Sequence, residues 1–313
     1  MAMADRYLVL DIGGTFVKYA IMDAEAQFIE QGKVPADTSS EDALLGSLAD
    51  VHATVSATDL KGAAVSMPGR IDTAKGWAHT GGAFTWLREY PAAARFGEVL
   101  GLETTIANDG KCAALAESWT GALSDYDSGC VIVLGTGIGG GIVLNKEVWM
   151  GCSGGAGELS WFGANFDAAN DVNTMTYSDA RYMWTNRVSA KTLVRDYEKK
   201  RGLAKGAGDG VMLFDAYEAG EPEATAIVNA FAVQMAAGIF SLQCVLDLPI
   251  YAIGGGISAR PETTAVVRAK LDEICDAHAA VLPFSRPQVV RCAYGNEANL
   301  IGALAFHLKA KGE

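Results

Sequence analysis

The chain has 313 residues, half of them hydrophobic and a fifth charged, a composition that excludes disordered and fibrous classes. Its 25 Lys and Arg against 37 Asp and Glu give a formal net charge of -12, which repels phosphate backbones and anionic lipid surfaces and argues against nucleic-acid and membrane partners. That length exceeds one small core and suits two apposed lobes. The six cysteines form no CxxC pair and fit a reduced cytoplasm, and none combines with one of the four histidines at zinc-ligand spacing. Before Asp11 the only apolar run is 7–10, too short for a signal-peptide core, and no stretch is expected to reach the length needed to span a bilayer.

In chain order, 7–10 reads as a buried strand, Asp11-Ile12-Gly13-Gly14-Thr15 as a tight turn, and 16–22 as the returning strand. Residues 40–55 carry Leu44, Leu45, Leu48 and Val51 at helical spacing, and 62–66 is a short apolar strand ending in Met67-Pro68-Gly69. A helix is expected over 88–100, then a strand over 104–107 that runs into Asn108-Asp109 and a helix over 110–119. Residues 130–143 repeat the strand, Gly/Thr turn and strand of the first hairpin, so the halves read as duplicated α/β lobes. The stretch 164–186 is polar, contains Phe166, Tyr177, Tyr182 and Trp184, and reads as a loop. A long apolar helix over 224–246, a strand over 250–253, the turn Gly254-Gly255-Gly256 and a helix over 261–279 follow. A last helix over 296–309 is expected to return to the first lobe, which divides the chain into 1–107 plus 296–313 and 108–295.

Glycines let backbone amides approach phosphate oxygens, so the 11–15 turn reads as a phosphate loop, with a hydroxyl from Thr15, Asp11 for Mg²⁺ directly or through water, and Lys18 near enough to help. Gly135-Thr136-Gly137-Ile138-Gly139-Gly140-Gly141 holds five glycines in seven residues, more than one tight turn needs. It lacks a Walker Gly-Lys-Ser/Thr, and two hairpins facing one triphosphate is the reading that fits. Asp109 at a helix entrance is either a catalytic base or an ordinary N-cap. Glu158 follows Gly154-Gly155-Ala156-Gly157, as a partner for carbohydrate hydroxyls or as a solvated loop residue. Trp77, Trp86, Trp161 and Trp184 are stacking candidates or core residues.

Six motifs in order resemble the ROK family of sugar kinases and repressors: DIGGT at 11–15, MPG at 67–69, NDGKCAALAE at 108–117, GTGIGGG at 135–141, GGAGEL at 154–159 and IGGGIS at 253–258. The resemblance implies the two-lobed actin-like, ribonuclease-H-like α/β ATPase fold, with ATP and Mg²⁺ as cofactors and a small carbohydrate as partner. It also implies a homodimer or larger assembly. It makes Asp109 the base and Asn108, Glu158 and Gly82 sugar contacts. Asp11, Gly13, Gly14, Thr15 and Lys18, with Gly135, Thr136, Gly137 and Gly139, become phosphate contacts, and Gly254, Gly255 and Gly256 the adenosine side. Ser160-Trp161 stand where the family has Gly-His before a zinc-binding cysteine cluster, no cysteine occurs between Cys152 and Cys244, and a second sugar-contacting glutamate is replaced near Thr185. Zinc is therefore not expected. With NxANLIGAL at 296–304, the chain resembles the branch that includes bacterial β-glucoside kinase, glucokinase-like and N-acyl-hexosamine kinase specificities being the alternatives. The repressor branch would need an N-terminal helix-turn-helix, for which a first strand at Tyr7 leaves no room, and a sugar sensor without catalysis is the remaining reading.

Overall fold

The computed structural model describes residues 5–57, 59–82, 84–166 and 182–312. The chain forms two compact units, one of Met1–Trp119, Glu147–Ala156 and Glu297–Glu313, the other of Thr120–Lys146 and Gly157–Asn296. The helix Asp109–Trp119 thus belongs to the first unit, not to the second as the division at 107/108 expected. The cause is its packing on Ala298–Lys311, where a Cβ on Gly302 would stand 1.8 Å from the Cys112 carbonyl oxygen, so only a glycine lets the two backbones touch.

In the first unit Arg6–Ile12 pairs antiparallel with Phe16–Asp23, which pairs antiparallel with Phe28–Pro35. On its other side Arg6–Ile12 runs parallel to Leu60–Met67, itself parallel to Thr104–Asn108. This antiparallel-then-parallel order arises because a tight turn joins antiparallel neighbours whereas a parallel return needs a crossover, supplied by the helices Glu41–Thr54 and Ala92–Leu100. Ser40 caps the first of these, its hydroxyl accepting from Ala43 N at 3.2 Å, and Leu44, Leu48 and Val51 face the core. The helix expected over 88–100 begins only at Ala92: Phe84–Tyr90 is a strand rich in aromatic residues, and Pro91 separates the two. It closes a small sheet with Ile71–Asp72 and Trp77–Gly81.

The second unit repeats the arrangement. Gly129–Leu134 pairs antiparallel with Ile138–Leu144 and parallel with Ile250–Gly254, which runs parallel to Gln288–Arg291. Duplicated α/β architecture is what the two glycine hairpins predicted. The helix Pro222–Leu246 has 25 residues and contains an 18-residue stretch of mean hydropathy 1.6, long and apolar enough to cross a membrane, so the expectation that no stretch reaches that length is corrected. Its apolarity has a packing reason, since Val228, Phe231, Met235 and Ile239 enter the unit's core beside Ile132, Leu134 and Tyr251. Trp184 fills that core, its indole lying where a Gly238 Cβ would be and its Nε1 donating to the Gln234 carbonyl at 3.1 Å. It is a core residue and not a stacking platform.

Candidate functional site

The parallel strands of the first unit end at one edge, with Asp11 beside Ser66, Ser66 beside Ala107 and Met67 beside Asn108. Strand ends of this kind gather ligand-binding groups in α/β proteins. The Asp11 residue is only 6% exposed and is held from three directions. Its Oδ1 accepts from Ser66 Oγ at 3.1 Å and Asn299 Nδ2 at 3.0 Å, and its Oδ2 faces Lys18 Nζ at 3.3 Å. In the turn that follows, Gly13 N donates to the Phe16 carbonyl at 3.0 Å, while Gly14 and Thr15 are exposed. A Cβ on Gly14 would meet nothing within 4 Å, so packing inside the protein does not demand that glycine.

Asn108 and Asp109 divide the work at the head of Asp109–Trp119. Asn108 Oδ1 accepts from Lys111 N at 3.1 Å, so the cap is Asn108, and the reading of Asp109 as N-cap is corrected. Asn108 Nδ2 donates to the Gly69 carbonyl at 2.9 Å and to Asp109 Oδ1 at 3.0 Å, and Asp109 Oδ1 also accepts from Gly110 N at 2.8 Å. Gly69 has φ of 107°, and a Cβ there would stand 2.0 Å from the Thr80 carbonyl oxygen. Gly82, with φ of 61°, lies against Pro68. The first unit therefore brings Asn108, Asp109 and Gly82 around the Met67-Pro68-Gly69 turn. Burial pushes the neighbouring Cys112 thiol well above its ordinary value, and the charges of Asp109 and Asp11 push the same way.

In the second unit a cavity of about 1160 Å³ is lined by Gly135 and Thr136 of the second hairpin, by Lys191, Val194 and Arg195 of one helix, by Gly208–Val211, and by Gly256 and Ile257. Gly137, Gly139, Gly254 and Gly255 do not line it. Gly135 N donates to the Gly137 carbonyl at 2.9 Å, Gly139 lies in the ladder opposite Val133, and Gly255 (φ of 93°) seats its turn against the Leu134 carbonyl. Ser160 Oγ accepts from Ile138 N and donates to Ile138 O, both at 2.9 Å, bracing the hairpin's base. The sequence reading missed the helix Ala190–Arg201 and the loop before Gly210–Glu218. Leu193 and Tyr197 four residues apart after the Ser189 cap, and Asp209 as the next cap, were the available signals. Glu198, buried, accepts from Gly206 N at 2.7 Å and Gly208 N at 2.9 Å and so shapes that loop.

Glu158 is exposed on the turn before Leu159–Trp161 and does not line the cavity; Trp161 beside it is 57% exposed. Thr185 is buried and its carbonyl accepts from Thr192 Oγ1 at 3.3 Å. Trp77 and Trp86 donate to Glu89 and to the Thr38 carbonyl. Residues 167–181, with Tyr177, lie outside the described residues, and of that aromatic stretch Phe166 meets Tyr182 edge-on at 5.7 Å. Among the described residues no three of His, Cys, Asp and Glu gather as a metal cluster.

The profile of the ROK family matches residues 7–310. A β-glucoside kinase of Klebsiella pneumoniae is 27% identical over 299 residues, covering 96% of this chain and 95% of that protein. A ROK family protein from Streptococcus pneumoniae TIGR4 in complex with sucrose has the same fold, with a TM-score of 0.84 at 24% identity over 98% of this chain and 99% of that one. A ROK family glucokinase from Streptomyces griseus in complex with glucose and AMPPNP gives 0.76 at 22% identity over 96% and 98%. With the profile running from the first strand into the last helix, and with the paired actin-like sheets to match, the chain belongs to the ROK family.

Proposed function

We propose that the protein transfers the γ-phosphoryl group of ATP to a hydroxyl of a hexose or a β-linked glucoside, at C6, with Asp109 as the base. The observation that carries this reading is the division of labour at residues 108 and 109. Asn108 Oδ1 serves as the helix cap through Lys111 N, and Asp109 stands beside it at the same helix head with its Oδ1 held by Asn108 Nδ2 and Gly110 N. Family membership and likeness to a β-glucoside kinase support the sugar-kinase class, and the missing cysteine cluster supports the branch.

In this reading the sugar oxygen attacks the γ-phosphorus, the bond to the β-phosphate oxygen breaks, ADP leaves, and the hydroxyl proton passes to Asp109. Asn108 and Gly82 would hold the acceptor so that one hydroxyl meets the carboxylate, and Glu158 remains the sequence's further candidate for a sugar hydroxyl. The adenosine would occupy the second unit's cavity beside Gly256, with Gly135 and Thr136 amides on the phosphates. Asp11 offers one well-held carboxylate, which suits Mg²⁺, a cation that takes one or two carboxylates and completes its shell with phosphate oxygens and water. Bound there, it would neutralise charge on the transferring group. The cytoplasm, as a homodimer or larger assembly, completes the proposal.

Asp109→Asn is expected to lower kcat by about a hundred- to ten-thousand-fold while leaving ADP binding within about twofold of the parent, since binding and proton acceptance use different groups. A coupled ADP-release assay over cellobiose, glucose and N-acetylglucosamine checks both the role and the acceptor. Near-normal turnover by the variant would remove Asp109 from the mechanism, and no stimulation by any sugar would favour a sensor.

A further inference from the structure

The run 296–304 marks the sequence, yet the proposed reaction gives it no task. The structure supplies one. The helix Ala298–Lys311 presents Asn299 in its first turn, and that side chain donates through Nδ2 to Asp11 Oδ1 at 3.0 Å, across 288 positions of sequence. Ser66, on the neighbouring parallel strand, donates to the same oxygen at 3.1 Å. A carboxylate oxygen has about two lone-pair sites, so two fixed neutral donors occupy Oδ1. Oδ2 is left with Lys18 at 3.3 Å, whose side chain is 40% exposed.

We infer that Asn299 is a positioning residue for metal binding: with Ser66 it pins Oδ1 of Asp11, so that Oδ2 alone is presented to the nucleotide's Mg²⁺, Lys18 holding that oxygen until the metal arrives. This rests on the kinase reading above. Asparagine suits the place because it donates without adding charge, whereas an apolar side chain would leave a nearly buried carboxylate oxygen short of a donor. Its own position is fixed by packing. Gly302, three residues on, meets the Cys112 backbone, and a Cβ on Gly62 would stand 2.4 Å from the ring of His307 in the same helix. The helix cannot slide without breaking these contacts, so the amide stays on Asp11. Groups that orient a metal's ligand typically contribute ten- to a hundredfold in metal affinity.

The test compares Asn299→Leu and the isosteric Asn299→Asp by Mg²⁺ activation curves and, independently of turnover, by Mn²⁺ binding followed by electron paramagnetic resonance with and without ADP. Asn299→Leu is expected to raise the Mg²⁺ midpoint and weaken Mn²⁺–ADP binding by about ten- to a hundredfold, with kcat at saturating Mg²⁺ largely restored and the KM for sugar unchanged. Asn299→Asp places a second carboxylate beside Asp11 and is expected to tighten Mn²⁺ binding to the nucleotide-free protein about tenfold, the opposite sign. Unchanged metal dependence in both variants, or sugar KM moving together with metal affinity, would overturn the proposal. Should Asn299→Leu fail to fold, the isostere alone decides by the sign of its shift. The Mn²⁺ arm needs no sugar turnover, so an absent kinase activity and an uninvolved Asn299 give different results.

Discussion

Cys112 and Cys130 are sealed from solvent in the two units, and burial disfavours their charged forms; Cys130 is pushed up to about 12, and Cys112 is raised further by the charges of Asp109 and Asp11. Burial also raises Cys275, whereas Cys152 and Cys244 are exposed. The thiolate is the reactive species, so at pH 8 a disulfide-exchange reagent should titrate two thiols rapidly in the native protein and all six after denaturation. Rapid reaction of a third would show that a buried site opens. The same shifts carry a sign for stability. A thiol whose folded pKa lies above its unfolded value of about 8.5 contributes stability that is full below that value and is lost as pH climbs through the folded one. Urea midpoints should therefore fall between pH 8.5 and 11, and Cys112→Ala should flatten that fall.

Two helix glycines of the first unit separate packing from propensity. Gly46 is exposed within Glu41–Thr54, and an added Cβ would meet nothing within 4 Å. Gly46→Ala should stabilise by about 0.5–1 kcal/mol, the helix-propensity difference. Gly302 touches the Cys112 backbone, and Gly302→Ala should destabilise by about 1–3 kcal/mol or more as the helices part. Denaturant melts of the pair check the opposite signs. The elements that sequence did reveal are those whose apolar runs abut glycine turns, as at 7–22 and 130–143, because burial on both faces and punctuation coincide there. Phe28–Pro35 escaped it, since an edge strand with alternating exposure and Glu, Gln and Lys in it carries little apolar signal. Residues 77–90 escaped because their sheet is small and Arg88 and Glu89 suggested a helix ahead of Pro91. At the site, residue types and spacing singled out Asp11, Asn108 and Asp109. The Asn299 contact and the Asn108 cap are products of tertiary packing, which no local pattern encodes.

Each unit has its own hydrophobic core, one built on Leu8, Leu10, Val65 and Phe96, the other on Ile132, Trp184, Phe231 and Ile253. The proposed ligands also divide between them: the nucleotide's base and ribose belong to the second unit, the acceptor's reacting hydroxyl to Asn108 and Asp109 of the first. A ligand that binds only the native state stabilises it by RT ln(1 + [L]/Kd), about 2.7 kcal/mol at a hundredfold excess over Kd, and opening of the segments it covers becomes rarer in proportion. Hydrogen exchange should therefore resolve the two roles by position. ADP is expected to slow amides in 135–138, 190–195, 206–211 and 256–260, the backbone around the cavity. A bound sugar without nucleotide should slow 69–70, 80–82 and 109–111 instead, because Gly69, Gly82 and the capped helix head lie together on the proposed acceptor side. ADP protection confined to the first unit would move the nucleotide out of that cavity and with it the assignment of Gly135, Thr136 and Gly256. Sugar protection absent from 109–111 would separate Asp109 from the acceptor, the one relation the proposed transfer cannot do without.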